Sequence, residues 1–201
     1  MSGGDDSLPG PDPFAIRTVA VIGAGVAGRS FALACVAAGF DVFLEDVMPA
    51  NLRRAQEEYA GLEAVSAVPG STGRLDLALT VEDAVRTADV VVDFVPDELE
   101  SKLEIFCMVD RMAPPKTMLL TPSDALSITD LASCTYRGER CFAVRGGMVA
   151  GGAVRLVHPK QAAQVALIAV RDFLRALGGA VRVEEDADAP MLVRNSSLFA
   201  G

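Results

Sequence analysis

The residues best placed to do chemistry form a glycine-rich turn between an apolar strand and a helix. The strand is predicted at residues 19–22, and an alanine- and leucine-rich helix is predicted at 25–38. The turn has the spacing GxGxxG and consists of Gly23, Ala24, Gly25, Val26, Ala27 and Gly28. In such a turn the first glycine permits the bend, the second admits a diphosphate, and the third allows close packing. Because the helix N-terminus also offers unpaired N–H groups, the turn predicts binding of a dinucleotide.

A carboxylate follows the second predicted strand, residues 41–44, where folds of this kind bind the adenosine ribose. Asp46 lies eighteen residues after the last glycine of the turn, and Glu45 precedes it. A carboxylate here accepts hydrogen bonds from ribose hydroxyls and repels a 2′-phosphate, which predicts NAD rather than NADP. Arg53 and Arg54 could meet such a phosphate, although exposed positions on the next helix are their simpler interpretation.

Strands and helices alternate along the rest of the chain, and their order predicts the fold. Further strands are predicted at 76–80, 89–95, 118–121, 141–144 and 180–183, with 153–157 as another candidate. Further helices are predicted at 50–63, 81–87, 98–112, 127–133 and 160–177. This alternation is typical of α/β proteins with a Rossmann-type doubly wound, mostly parallel sheet. We expect one NAD-binding domain over residues 15–201, after a flexible tail at residues 1–14 that is rich in glycine, proline and aspartate.

Composition narrows the class of protein further. The chain has 201 residues and a net charge of −9, which argues against nucleic acid and anionic membranes as partners. It shows neither a membrane-spanning apolar run nor a signal peptide, so we expect a cytoplasmic protein. The four cysteines lack metal-ligand spacing. Because Cys35 and Cys107 lie in apolar helical patterns, we expect buried thiols and no metal site.

Residues 18–195 resemble the NAD-binding domain of the 3-hydroxyacyl-CoA dehydrogenase family. Besides the glycine turn with its acid, the matching segments are Asp-Phe-Val-Pro-Asp-Glu-Leu-Glu-Ser-Lys at 93–102, Ala-Leu-Ser-Ile-Thr-Asp-Leu-Ala at 125–132, and Pro190 with Asn195. The resemblance implies that Asp97 and Lys102 lie along the nicotinamide half of the cofactor. The alternative for these two residues is a helix start with a solvent-facing lysine.

Asn195 matches a catalytic position of that family, but the other catalytic residues are replaced. The resemblance places Asp124 where the family has a serine, and Arg145 where it has a histidine. The glutamate that holds the histidine falls at Val157 or, with a slip of one residue, at His158. Because arginine stays protonated, it cannot relay the proton that accompanies hydride transfer.

Three residues at or near these positions could still take part in chemistry. Arg145 could polarise a substrate oxygen or bind a carboxylate, and Asp124 could form an ion pair with it. His158 is the one histidine of the chain and could carry a proton, although an exposed histidine at a strand end is the simpler interpretation.

A second resemblance concerns the glycines after residue 145. Residues 143–147 and 151–153 are similar to the Ser-Gly-Gly…Gly-Ala substrate loop of the β-hydroxyacid dehydrogenases. Arg145 replaces the serine of that loop, and the catalytic lysine of those enzymes would fall at Met191. The other interpretation is a mobile loop between two strands.

Together these observations predict an NAD-dependent oxidoreductase acting on a 3-hydroxyacyl thioester or a related small hydroxy acid. The alternative is a non-catalytic NAD(H)-binding or partner-binding module descended from such an enzyme. The family's all-helical domain would begin about where this chain ends, so we expect a homodimer or a partner subunit that supplies it. Apolar residues that could meet that domain are Met191, Leu192, Val193, Leu198 and Phe199.

Overall fold

The computed structural model of the protein describes residues 15–65, 72–146 and 152–186, with residues 63–65 described by their backbone. In chain order its strands are β1 (Thr18–Ile22), β2 (Asp41–Glu45), β3 (Leu75–Ala78), β4 (Val90–Asp93), β5 (Met118–Pro122), β6 (Cys141–Arg145), β7 (Ala153–His158) and β8 (Ala180–Glu185). Its α-helices are α1 (Val26–Ala37), α2 (Pro49–Val65), α3 (Val81–Val85), α4 (Leu99–Met112), α5 (Ile128–Ser133) and α6 (Gln164–Ala176). The predicted tail, residues 1–14, and residues 187–201 lie outside the described residues.

The strands described form one sheet in the order β3-β2-β1-β4-β5-β6-β7-β8. Strands β1 to β6 are parallel, β7 is antiparallel to β6, and β8 is parallel to β7. From β1 the chain winds outward in both directions, and this reversal opens a crevice at the carboxyl ends of β1 and β4. The predicted Rossmann-type doubly wound, mostly parallel sheet is confirmed.

Helices cover both faces of the sheet and make two apolar cores. One core packs α1, α2 and α6 on one face, and the other packs α3, α4 and α5 on the opposite face. Strand β4 lies in the centre of the sheet, and its Val90 and Val92 enter the first core while Val91 enters the second. Continuous β-branched runs are typical of strands buried on both faces, so the pattern of β4 identifies its central place.

The helix predicted from residue 160 begins only after a turn. The N–H of Ala162 donates to the carbonyl oxygen of Pro159 at 3.0 Å, and the N–H of Ala163 donates to that of Glu139 at 2.8 Å. The second bond crosses to a different segment, so α6 can begin only beyond it. Apolar periodicity alone does not reveal such a contact.

Cysteine burial follows the prediction in part. Cys35 is fully buried within α1, and burial raises the pKa of its thiol. Cys107 is only half-buried, and its Sγ contacts the carbonyl oxygen of Cys134 at 3.6 Å. Both are free thiols.

No helix within the described ranges is long and apolar enough to cross a bilayer.

A buried arginine holds the C-terminal end of α4. The Nε of Arg137 lies 2.8 Å from Oδ1 of Asp110, and the two side chains are 8% and 5% exposed. The guanidinium also donates to four nearby carbonyl oxygens, those of Asp110 at 2.7 Å, Ala113 at 3.1 Å, Pro114 at 2.7 Å and Thr117 at 3.5 Å. One side chain therefore satisfies carbonyl groups that the helix end would leave unpaired.

We expect Arg137→Met to lower the free energy of unfolding by about 3–5 kcal/mol, because it leaves a buried carboxylate without its partner. Urea denaturation at neutral pH measures the change. Arg86→Met is the matched control, since Arg86 forms exposed ion pairs on α3 and its loss should cost less than about 1 kcal/mol. Equal losses for the two variants would contradict this account of Arg137.

Asp89 joins three strands at the amino-terminal edge of the sheet. Its Oδ2 accepts the backbone N–H groups of Arg17 and Thr18, each at 3.0 Å, and its Oδ1 accepts from Lys116 Nζ at 2.9 Å. Burial by itself would raise the pKa of Asp89, but the hydrogen bonds from Lys116 and the two amides lower it below its ordinary value. A lowered pKa means that the ionised form stabilises the fold.

We expect Asp89→Asn to lower the free energy of unfolding at pH 7 by about 2 kcal/mol, because it loses charged hydrogen bonds. The contribution of Asp89 is complete above the ordinary pKa of aspartate and disappears as pH falls through the lowered value. The difference between the two proteins should therefore shrink as urea melts are repeated from pH 7 toward pH 3. Asp76→Asn, which alters an exposed ion pair with Arg74, is the control and should show little change at any pH.

Candidate nucleotide-binding and substrate site

The glycine turn has the geometry that dinucleotide binding requires. Gly23 has a φ of 98°, a conformation that favours glycine, and a Cβ on Gly28 would overlap the carbonyl oxygen of Gly23. A Cβ on Gly25 would meet no atom within 4 Å, so this glycine borders open space. Gly25 also precedes α1 without a side-chain cap, which leaves N–H groups of the helix available to a phosphate.

Asp46 lies against this turn. Its Oδ2 accepts the N–H of Ala24 at 2.6 Å and Nδ2 of Asn51 at 3.1 Å, and its Oδ1 accepts the N–H of Met48 at 2.6 Å. The carboxylate is therefore fixed beside the turn before any ribose arrives. Preceding it, Glu45 is buried, and burial together with the neighbouring charge of Asp46 raises the pKa of Glu45.

Lys102 is buried, so the alternative of a solvent-facing lysine is wrong. Its Nζ lies 2.6 Å from Oδ1 of Asp93 and 3.3 Å from the carbonyl oxygen of Pro122. The side chains of Lys102 and Asp93 are 1% and 4% exposed, and burial raises the pKa of Asp93 against the opposing effect of Lys102. This ion pair joins α4 to the carboxyl ends of β4 and β5, next to the crevice. Asp97 is exposed in the loop after β4.

Arg53 and Arg54 are exposed on α2, as their simpler interpretation predicted.

The expected ion pair between Asp124 and Arg145 is wrong. Nη2 of Arg145 lies 3.6 Å from Oδ1 of Asp186 and donates to the carbonyl oxygen of Leu126 at 3.2 Å. Asp124 instead accepts the backbone N–H of Gly146 at 3.0 Å. The arginine side chain extends beneath the start of α5, whereas the carboxylate of Asp124 remains in the exposed loop after β5.

Asp186 is a member of this site that the sequence reasoning missed. Its side chain is 1% exposed, and its Oδ2 accepts Oγ of Ser127 at 2.8 Å and the N–H of Thr129 at 2.9 Å, at the first turn of α5. It follows two glutamates, so nothing in the local pattern distinguishes it from an exposed acid. At the position that resembles the family's glutamate, Val157 is apolar and buried.

His158 is not near Arg145. It ends β7, which runs antiparallel to β6, so the strand leads away from the edge where Arg145 ends β6. Side chains alternate along a strand, and Val157 lies on the α4 and α5 face, so His158 lies on the opposite face. Its Nδ1 is 3.0 Å from the carbonyl oxygen of Pro159. A residue at the carboxyl end of a strand reaches the cofactor edge only where that strand runs parallel to its neighbours, so the direction of β7 takes His158 away from that edge.

Several expected site residues lie outside the described residues. These are Asn195, the apolar candidates from Met191 onward, and most of the glycine loop at residues 147–151. Among the residues that are described, no group of three His, Cys, Asp or Glu side chains could hold a metal ion.

A doubly wound sheet with a glycine turn and an adjacent carboxylate at its crevice defines a Rossmann-type nucleotide-binding domain. Residues 18–145 match the family model described as 3-hydroxyacyl-CoA dehydrogenase, NAD binding domain. The chain belongs to the 3-hydroxyacyl-CoA dehydrogenase family through this domain, and its cofactor is NAD.

Individual relatives agree with this assignment. A probable 3-hydroxybutyryl-CoA dehydrogenase of Bacillus subtilis is 32% identical over 134 residues, which are 62% of this chain and 46% of that protein. A 5-formyl-3-hydroxy-2-methylpyridine 4-carboxylate 5-dehydrogenase of Mesorhizobium japonicum is 25% identical over 193 residues, 92% of this chain and 62% of that protein. The chain thus spans about half the length of these relatives.

Solved structures are similar as well. A diketoreductase superposes with a TM-score of 0.75 at 26% identity, covering 87% of this chain and 66% of that one. A 3-hydroxyacyl-CoA dehydrogenase of Archaeoglobus fulgidus superposes with a TM-score of 0.71 at 26% identity, covering 92% of this chain and 61% of that one.

The glycine turn yields a paired prediction. Gly25→Ala should leave thermal stability unchanged, because the added Cβ meets open space, but should weaken NADH binding because it occupies the space expected for the diphosphate. Gly28→Ala should lower the melting temperature as well, since its Cβ meets the backbone. NADH titration by fluorescence and thermal melts measure the two effects. Normal NADH affinity in Gly25→Ala would place the diphosphate elsewhere.

Proposed function

We propose that the chain is an NAD-dependent oxidoreductase acting on a 3-hydroxyacyl thioester or a related small hydroxy acid. The observation that carries the proposal is the geometry of the crevice, where the open glycine turn and the fixed carboxylate of Asp46 lie together. The relatives, which include a probable 3-hydroxybutyryl-CoA dehydrogenase and a 5-formyl-3-hydroxy-2-methylpyridine 4-carboxylate 5-dehydrogenase, support the reaction class.

In this proposal Arg145 binds the substrate oxygen. Its side chain is 18% exposed at the end of β6, and its Nε is buried without a hydrogen-bond partner among the described residues. NAD supplies a hydride acceptor when bound. As an alcohol is oxidised, Arg145 stabilises the negative charge on its oxygen, while the hydroxyl proton leaves to water. Lys102 and Asp97 contribute to the nicotinamide side of the site.

A second candidate is a non-catalytic NAD(H)-binding module. It is favoured by the pairing of Arg145 with Asp186 and Leu126, which uses part of the hydrogen-bonding capacity of the guanidinium. The replacement of the family's histidine and glutamate by Arg145 and Val157 points the same way.

For either candidate we propose a cytoplasmic location and assembly as a homodimer or with a partner subunit. The basis is the resemblance to the family.

We expect the 201-residue chain to oxidise NADH in the presence of acetoacetyl-CoA or another short 3-oxoacyl-CoA. Arg145→Ala should lower kcat/KM by about 100-fold, the usual cost of losing one donor to a developing oxyanion. Its NADH dissociation constant should not change. His158→Ala is the control and should be unaffected, because His158 lies on the other face of the sheet.

Binding of NADH without turnover of any tested 3-oxoacyl-CoA would contradict the oxidoreductase and support the binding module. Equal losses in Arg145→Ala and His158→Ala would contradict the role given to Arg145.

A further inference from the structure

An ion pair joins α1 to α2 close to Ala24 of the glycine turn. Nε of Arg29 lies 2.9 Å from Oε1 of Glu58, and Nη1 of Arg29 donates to the carbonyl oxygen of Ala24 at 3.3 Å. The Arg29 side chain is 12% exposed and the Glu58 side chain is 47% exposed. The arginine is thus packed between the helices, whereas the glutamate borders solvent.

This pair lies close to the carboxylate expected to bind the ribose. The N–H of Ala24 donates to Asp46, and the carbonyl oxygen of Ala24 accepts from Arg29. The guanidinium and the carboxylate therefore contact the same residue. A phosphate on the ribose 2′ position would therefore come near Arg29 as well as Asp46.

The charges around Ala24 decide which dinucleotide is tolerated. Arg29 carries one positive charge, and Asp46 and Glu58 carry one negative charge each, so the three side chains sum to −1. A guanidinium is a strong partner for phosphate when its N–H groups are available. Here Glu58 holds Nε of Arg29 and adds a second carboxylate that repels a phosphate.

We propose that Glu58 restrains Arg29 and so excludes dinucleotides with a 2′-phosphate, making this pair, together with Asp46, a determinant of the preference for NAD over NADP. The inference rests on binding of NAD at the glycine turn. Glu58 then contributes to cofactor selection, in addition to linking α1 to α2.

The experiment measures dissociation constants of NADH and NADPH for the full chain at fixed ionic strength. In Glu58→Gln the NADPH constant should fall about tenfold, because one repelling charge is removed and the guanidinium is held only by a neutral, weaker acceptor. The NADH constant should stay within about twofold, because NADH carries no phosphate at that position. Glu57→Gln is the matched control, since it removes the same charge from the neighbouring exposed position on α2 and should change neither constant.

A double variant separates the contribution of the arginine. Arg29→Met in the Glu58→Gln background should abolish the gain in NADPH affinity, while its aliphatic side chain keeps the packing between the helices; thermal melts verify the fold. An unchanged NADPH constant in Glu58→Gln, or a gain that persists without Arg29, would overturn the inference. Absence of NADH binding by the unaltered chain would instead overturn the location of the cofactor.

Discussion

The nucleotide site depends on one close approach between backbone segments. The first turn of α1 packs against the bend after β1, and only a glycine at position 28 fits against the carbonyl group of Gly23. Because the helix starts this near the strand, the N–H of Ala24 comes within 2.6 Å of Asp46 at the end of the neighbouring strand. The unpaired N–H groups at the start of α1 and the carboxylate of Asp46 are thereby held next to each other.

Buried charges fix α4 at both ends, and this helix forms one wall of the crevice. Lys102 in its first turn pairs with Asp93, and Asp110 in its last turn pairs with Arg137. Burying a charge is costly unless a partner meets it with good geometry, so each pair strongly restricts the position of the helix along the sheet. The loop that carries Asp97 is held between β4 and this helix.

The positions that match the family's catalytic residues carry a different kind of chemistry in this chain. The resemblance to the family leads to a histidine and a glutamate on neighbouring strands, whereas this chain has Arg145 facing Asp186 from the end of β8. The new pair still combines a cation with a carboxylate, but it holds charge instead of moving a proton near neutrality. Its carboxylate also caps α5, so the ion pair and the start of that helix are mutually dependent.

The sequence by itself determined the order of strands and helices, the glycine turn and its acid, since each depends on local periodicity or on spacing within one βαβ unit. Tertiary structure alone decided the partners of the long charged side chains. The sequence left open whether Lys102 lies along the cofactor or faces solvent, and only the structure shows Asp93 beside it. The sequence also suggested Asp124 as the partner of Arg145, whereas the structure brings Asp186 to Arg145 from the end of β8. The reversed direction of β7, which removes His158 from the site, is equally invisible along the chain. Such pairings depend on strand direction and on contacts between residues far apart in sequence, and neither leaves a local pattern.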